Sequence, residues 1–324
     1  MTTRRLTRRG FLQGVGGVAV SAALAHRLPG ARAEAAEPRA GKRLRFGIHT
    51  HPQHTTWGDL LHVWEEADEL GIDTAFAFDH FIPIRGDTNG PCLEGWTLLS
   101  ALAARTRRIQ AGLLVTGNTY RYPAVLAKMA ATVDHVSGGR CILGMGAGWY
   151  ELEHAAYGIP FHTPGNRARR LVESVEVVKR LFTEPKATYT GKYYQLKDAP
   201  CEPKPLQRPH LPILIGGMGP KVVQPLAARH ADIWHFFAPP DLEATRKTIT
   251  HFDDLVRQAG REPASVEKAM SVQAPDVKNA KALQERLRTL AEIGVGHFIL
   301  SLAAPFDGEA MRQWAKEIAP AVKA

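Results

Sequence analysis

Cysteine is scarce in this chain, which has three cysteines among 324 residues. A small fold stapled by disulfides is therefore excluded, and a chain of this length buries enough surface to form a large core without such bonds. No segment has the length and continuous hydrophobicity of a membrane-spanning helix, which needs about 20 predominantly apolar residues. Because 44% of the residues are hydrophobic and 23% are charged, extensive disorder is excluded as well.

Acidic residues are missing from the first 33 positions, although the whole chain has a formal charge of +9. This stretch contains six arginines, an interrupted apolar run from Phe11 to Leu24, and the cleavage pattern Ala31-Arg32-Ala33, which together are typical of an export signal. Removing these 33 residues and their six charges would leave 291 residues with a charge of +3. A surface for nucleic acid is therefore not indicated.

The segment Thr7–Gln13 resembles the twin-arginine signal, whose pathway exports folded proteins, often with a cofactor bound. We therefore predict a signal peptide at 1–33, a linker at 34–43 and a single domain at 44–324. The mature protein is expected outside the cytoplasm, in the periplasm, the cell envelope or the medium, without stable membrane insertion. Three cysteines are an odd number for an oxidising compartment, so at least one thiol is expected to stay free or to pair between chains.

From Leu44 onward, short β-branched or aromatic runs alternate with amphipathic stretches, the pattern of a parallel sheet covered by helices. Eight such units fit one α/β fold, the (β/α)8 or TIM barrel, which usually has about 250 residues. A doubly wound sheet is the alternative, but it has no obvious use for eight strands in this spacing. The predicted strands are 44–49, 72–78, 109–115, 141–146, 212–216, 231–236, 266–272 and 296–302.

Proline and glycine delimit several of the predicted helices. Three of them are expected at 59–70, 123–136 and 167–182, because glycine or proline follows each one. The third helix, which is the fourth in the barrel, is followed by a long insertion at 183–211. Its tyrosines and prolines predict a turn and an extended lid.

Polar residues stand where the first two predicted strands end, which is where the chemistry of a barrel gathers. A histidine can act as an acid or a base at neutral pH, and a neighbouring carboxylate can orient it. We therefore predict that His80 transfers a proton, assisted by Asp79 or Glu94. A buried hydrogen-bonded pair at Asp79-His80 and a helix cap at Glu94 are the alternatives. No metal is predicted, because the later strand ends lack the ligands that a metal site would need.

Glycines follow the fourth and fifth predicted strands, and a residue without Cβ lets a flat ring or a phosphate approach the backbone. Pro220 is a favourable first helical residue, so the preceding amides would point at an anion. A tight turn is the alternative for each glycine cluster. The predicted cofactor contacts are Thr116, Asn118, Gly146, Ala147, Gly148, Gly216, Gly217, Met218 and Gly219. The predicted substrate contacts are His49, Gln53, Trp96 and Trp149.

Several motifs together resemble the bacterial luciferase-like (LLM class) flavin and deazaflavin oxidoreductases, over nearly all of residues 44–302. The resemblance implies a luciferase-like TIM barrel that holds reduced flavin mononucleotide or the deazaflavin coenzyme F420 at the carboxyl ends of its strands. It also implies a non-proline cis peptide near Leu113-Leu114, and it adds Leu114 and Asp79 to the cofactor contacts. The motifs are Asp79-His80-Phe81, Leu114–Pro123, Ser137–Trp149, Tyr157–Phe161 and Pro212–Gly217.

Within that family, the motifs at 79–81 and 144–149 are more similar to the deazaflavin branch. This implies hydride transfer between the deazaflavin C5 and an organic alcohol, carbonyl or enone-like substrate. The sugar-phosphate dehydrogenases of the branch carry Trp, Glu and Glu where this chain has Ile84, Trp149 and Gln53. A less polar substrate than a sugar phosphate is therefore expected.

Two other functions stay open from the sequence: an FMN-dependent monooxygenase that uses reduced flavin and oxygen, and an exported binding protein without catalysis. The expected partners are a small-molecule substrate and the twin-arginine export machinery. A homodimer is compatible with the sequence, and nucleic acid is not expected as a partner.

Overall fold

The computed structural model describes residues 43–239 and 241–324, in which eight parallel strands close into a barrel. The first and last strands pair with Arg45 opposite His297, and every other strand pairs with its neighbours in chain order. The predicted (β/α)8 barrel is thus confirmed. The predicted leader, and all of the predicted linker except its last residue, lie outside the described residues. The strands are β1 (Arg45–Thr50), β2 (Thr74–Ala77), β3 (Gln110–Leu113), β4 (Cys141–Gly146), β5 (Ile213–Gly216), β6 (Ile233–Phe236), β7 (Glu267–Gln273) and β8 (His297–Leu302).

The helices surround the barrel and begin and end at identifiable caps. Thr56 and Asp59 form a capping box at the start of the first helix, and Gly138, with φ 71°, ends the third. None of the helices in the described part of the chain is long and apolar enough to cross a membrane. They are α1 (Trp57–Glu69), α2 (Gly95–Arg105), α3 (Pro123–Ser137), α4 (Glu151–Ala156), α5 (Pro164–Thr183), α6 (Val223–His230), α7 (Leu242–Gln258), α8 (Ala280–Glu292), α9 (Gly308–Gln313) and α10 (Ala319–Lys323), with a π-helical turn at Trp314–Ile318 and 3₁₀ turns at Pro263–Ser265 and Ala274–Asn279.

The inside of the barrel is filled with side chains. At the amino end of the strands, the Arg45 guanidinium donates hydrogen bonds to Glu267, at 2.8 Å, and to Gln110, at 2.5 Å. An apolar layer lies within the barrel, and Leu114 and Val115 pack against it. The residues of this inner layer, all buried, are Phe76, Ile142, Leu214, Ile233, Ala269 and Ile299.

The insertion after α5 forms an antiparallel hairpin, with strands at Ala187–Thr190 and Gln195–Ala199. The Glu173 carboxylate on α5 accepts hydrogen bonds from the backbone N–H groups of Lys192 and Tyr193, at 2.9 and 2.8 Å. The predicted turn is therefore a hairpin held against α5. The three cysteines, Cys92, Cys141 and Cys201, are unpaired.

Candidate active site

A turn after β3 shapes one side of the barrel mouth. The Leu114-Val115 peptide is cis, one residue beyond the position that the family resemblance implied. A Cβ at Gly146 would lie 2.5 Å from Val115 Cγ2, and one at Gly216 would lie 3.0 Å from Val115 Cγ1. These two glycines therefore make room for the protein's own Val115 side chain, a reason that the strand-end pattern did not reveal.

His80 lies at the end of β2 with its ring held by a carboxylate on α4. His80 Nδ1 is 2.7 Å from Glu153 Oε1, the Phe81 N–H donates to Glu153 Oε2 at 2.8 Å, and the Tyr120 hydroxyl donates to Oε1. Burial alone would raise the pKa of Glu153, but the hydrogen bonds from His80, Tyr120 and Phe81 outweigh it, so this pKa lies below its usual value. Glu153 was not among the residues predicted from the sequence, because the short helix α4 was not predicted.

Asp79 is paired with a different residue from the expected one. The Arg121 guanidinium donates to both of its carboxylate oxygens, at 2.5 and 3.0 Å, and Thr116 also hydrogen-bonds to it. Complete burial raises the pKa of Asp79, although the charge and hydrogen bonds of Arg121 oppose the rise. The prediction that Asp79 assists His80 is therefore replaced by the observed Glu153 partnership. Thr116 is also buried, so its hydrogen bond to Asp79 lies inside the protein.

Glu94 is the cap of α2, which was the alternative considered for it. Its carboxylate accepts from the backbone N–H groups of Trp96, at 3.1 Å, and Thr97, at 2.7 Å, and from the Arg121 guanidinium. Burial raises the pKa of Glu94, but the hydrogen bonds to Thr97 and Trp96 and the charge of Arg121 more than offset it, so this pKa is lowered. Glu94 is thus engaged with the start of α2 and with Arg121, and its assistance to His80 stays a prediction.

Two predicted substrate contacts, Trp96 and Gln53, make hydrogen bonds within the protein. Trp96 is buried, and its indole N–H donates to Thr116 Oγ at 2.8 Å. Gln53 accepts from the Ile84 N–H at 2.8 Å and donates to the Arg85 carbonyl at 3.4 Å. Both side chains are thus engaged with the protein itself, and Gln53 shapes the loop that follows His80.

Three further histidines lie at the mouth, on β1, just after it and on β6. The rings of His49 and His51 are 4.9 Å apart, and His235 Nε2 is 3.0 Å from Ser271 Oγ. Burial lowers the pKa of His51 and of His235 to about 4, and burial together with the neighbouring histidines lowers that of His49 well below its usual value. His49 Nε2 is buried without a hydrogen-bond partner. These rings are therefore neutral at pH 7. Within residues 43–239 and 241–324, no three His, Cys, Asp or Glu residues are grouped so that they could hold a metal ion.

The loop after β5 crosses onto β6. The Trp234 indole donates to the Gly217 carbonyl at 2.9 Å, and the Gln224 amide donates to the Met218 carbonyl at 2.9 Å, which leaves the Gln224 side-chain oxygen buried without a partner. Helix α6 begins at Val223, three residues later than the start predicted at Pro220, because residues 220–222 form a turn. Gly219 therefore lies ahead of a turn, and the predicted direct entry from this loop into the helix is wrong.

The remaining predicted contacts surround the segments after β3 and β4. Asn118 Oδ1 accepts from Ser174, and Asn118 Nδ2 is buried without a hydrogen-bond partner. The Gly148 carbonyl accepts from Arg167 Nε at 3.0 Å, and Ala147 packs against the core. Asn118 thus offers a free donor at this side of the mouth.

Exposed aromatic side chains border the mouth. Trp149 is 59% exposed, and its ring stands edge-on to His80 with the centroids 5.6 Å apart. Phe237 follows β6, is 68% exposed and lies 5.6 Å from the His235 ring. Trp149 therefore stands beside the proposed reacting group, as a substrate contact would, and that role stays a prediction.

Comparison with known proteins gives this geometry a family. The family model described as luciferase-like monooxygenase matches residues 41–320. The chain is 34% identical over 231 residues to an F420-dependent glucose-6-phosphate dehydrogenase of Microbacterium testaceum, covering 71% of this chain and 67% of the relative. It is 36% identical over 186 residues to the protein of the same name in Kineococcus radiotolerans, covering 57% of this chain and about half, 54%, of that relative.

A similar fold occurs in a solved F420-dependent secondary alcohol dehydrogenase in complex with an F420-acetone adduct. The two structures superpose with a TM-score of 0.74 at 24% identity, covering 86% of this chain and 99% of the other. At this identity the likeness concerns the fold alone. The chain described above belongs to the luciferase-like monooxygenase family.

Proposed function

We propose that this protein is a coenzyme F420-dependent oxidoreductase of the luciferase-like class, acting on an organic alcohol, carbonyl or enone-like substrate. The observation that carries the proposal is the His80 ring, which follows β2 and is held at Nδ1 by buried Glu153. The names of the relatives at 34% and 36% identity support F420 as the cofactor.

The residues at the mouth fit a deazaflavin. Leu114 and Val115 are partly buried side chains on top of the inner apolar layer, where a planar ring could lie. Asn118 Nδ2 is a buried donor without a partner, suited to a polar ring edge, and the loop Gly216–Gly219 would lie near the phosphate. When bound, the coenzyme would supply a ring carbon that accepts or donates a hydride.

The protein's own contribution is proton transfer and exclusion of water. Since His80 Nδ1 is engaged with Glu153, His80 Nε2 is the atom that can exchange a proton with the substrate oxygen. Arg121 balances the buried charge of Asp79 in the wall behind it. Trp149 would cover the substrate from the solvent side, and its apolar surface favours a substrate less polar than a sugar phosphate.

The test is a titration of the purified protein with F420 and, separately, with FMN, followed by absorption and fluorescence. Turnover is then measured with cyclohexanol, cyclohexanone and cyclohexenone, and with glucose 6-phosphate as the polar comparison. Micromolar F420 binding with turnover of a cyclic substrate supports the proposal. Oxygen-dependent turnover with reduced FMN would identify a monooxygenase. Tight F420 binding without turnover of any of the four compounds would identify a binding protein. Either result would refute the proposed function.

We also propose that residues 1–33 direct export of the folded protein by the twin-arginine pathway. The support is the order of a basic start, an apolar run and a cleavage pattern in the sequence. Replacing both Arg8 and Arg9 by lysine should keep the protein in the cytoplasm, as measured by fractionation. The exported parent should carry bound F420, whereas an exported parent that lacks any chromophore would contradict loading before export.

A further inference from the structure

We infer that Glu153 is a positioning residue for His80: it holds a ring proton at Nδ1, so that Nε2 is the nitrogen that exchanges a proton with the substrate. The catalytic consequence rests on the proposed function. The hydrogen bond itself is a property of the chain and can be tested without turnover.

The hydrogen bonds around Glu153 determine which atom carries the proton. Phe81 N–H and the Tyr120 hydroxyl both point at the Glu153 carboxylate, and both act as donors there. An ionised carboxylate accepts hydrogen bonds and donates none. The 2.7 Å contact to His80 Nδ1 therefore requires the ring to donate from Nδ1.

A flip of the ring would put Cδ2 in place of Nδ1 opposite Glu153, and the surroundings of the ring oppose it. Phe78, Trp149 and Tyr150 stand edge-on to the ring with centroid distances of 5.1, 5.6 and 5.8 Å. A flip would also remove one partner from Glu153, whose side chain is completely buried. A buried carboxylate that loses a partner is strongly destabilised, because little water can replace it.

The next residue along α4 fixes the position of Glu153. His154 Nδ1 donates to the Tyr150 carbonyl at 2.7 Å, and Thr119 Oγ lies 2.7 Å from His154 Nε2. These contacts tie α4 to the segment after β3 that also contains Tyr120. Glu153 is thus held by its own helix and by its neighbours, as a residue that orients another side chain should be.

The first experiment reads the ring directly by NMR. The full chain is labelled with ¹⁵N at histidine, and the His80 signals are identified by their loss in His80→Gln. The inference requires a protonated Nδ1 and an unprotonated Nε2 in the parent, with and without F420. In Glu153→Gln the side-chain amide can donate to Nδ1, so the proton should move to Nε2, whereas Glu151→Gln, at an exposed position of the same helix, should leave the signals unchanged.

An Nε2–H ring in the parent would overturn the inference, whether or not the variant folds. An unchanged Nδ1–H ring in a folded Glu153→Gln variant would overturn it too. Both outcomes are independent of cofactor identity, so they are distinguishable from a failure of the proposed function, which would appear as absent F420 binding or turnover.

The second experiment asks whether Glu153 acts through His80. With F420 and cyclohexanol, Glu153→Gln should lower kcat about 10²-fold or more while the Kd for F420 stays within about twofold. Glu151→Gln should keep the parental kcat. The double variant His80→Ala/Glu153→Gln should match His80→Ala alone, because two residues that act as one unit are not additive; a further tenfold loss in the double variant would refute the positioning role.

Discussion

The three glycines that face the turn after β3 should respond to alanine in a graded order. A Cβ at Gly144 would lie 1.9 Å from the Leu113 carbonyl oxygen, which is backbone and cannot rotate away. At Gly146 the nearest atom is Val115 Cγ2 at 2.5 Å, and at Gly216 it is Val115 Cγ1 at 3.0 Å. Since ordinary contact begins near 3.4 Å, the overlap decreases from Gly144 through Gly146 to Gly216.

These overlaps translate into free energies of unfolding. Gly146→Ala should cost about 1 to 3 kcal/mol, the usual range for overpacking, and Gly144→Ala should cost more because backbone must move. Gly216→Ala should change stability by less than about 1 kcal/mol, since a small rotation of Val115 relieves the contact and alanine restricts the unfolded chain. Urea unfolding of the three variants measures the series, and F420 titration measures whether the displaced turn weakens cofactor binding.

A substitution at Val115 separates the clash with this side chain from the clash with the Leu113 carbonyl. Val115→Ala removes both Cγ atoms and therefore the clash at Gly146. Gly146→Ala should then cost less stability in the Val115→Ala background than it costs in the parent protein. Val115→Ala should not restore Gly144→Ala, whose principal clash is with the Leu113 carbonyl. Equal losses for all three glycines, or rescue of Gly144→Ala by Val115→Ala, would refute the steric account.

Three further predictions concern side chains at the mouth. His80→Ala should lower kcat about 10²- to 10⁴-fold with F420 affinity largely kept, and steady-state kinetics with unchanged turnover would contradict its role. Arg121→Met leaves Asp79 buried and unpaired, so urea unfolding at pH 7 should show a loss of about 3 to 5 kcal/mol, which adding Asp79→Asn should largely recover. The pKa of His51 and of His235 is about 4 in the folded protein and near 6.5 in the unfolded chain. Acidification from pH 6.5 to 4 therefore protonates the unfolded state first and should lower the free energy of unfolding by about 3 kcal/mol per ring. His235→Gln should flatten this dependence of stability on pH, and an unchanged slope in urea unfolding would contradict the prediction.

The sequence predicted the barrel well because its signals are local. Eight runs of apolar residues marked the strands, and glycine or proline marked the ends of helices such as α1 and α3. Helix α5 begins at Pro164, three residues before the predicted start, because Thr163 caps it. The short helix α4 escaped prediction, since six residues do not show a helical period.

The site was less predictable because its partners are distant in the chain. His80 was identified from its place after β2, but its carboxylate is 73 residues away and the adjacent Asp79 pairs with Arg121, 42 residues away. Adjacent residues of an extended segment point to opposite sides, so Asp79 and His80 could not share one partner surface. Glu94 and Trp96 were predicted near the mouth, and the structure shows that Glu94 caps α2 and that Trp96 makes a buried hydrogen bond.

The filled interior of the barrel bears on the order in which ligands can arrive. The inner apolar layer and the Arg45–Glu267 ion pair fill the interior at the amino end of the strands, so a ligand is expected to reach the mouth from the side of Trp149. A flat coenzyme held by Leu114 and Val115, as proposed above, would occupy the deeper position, and a substrate on its solvent side would block its exit. On that arrangement we expect sequential kinetics, with the coenzyme binding first and the organic product leaving before the spent coenzyme is exchanged.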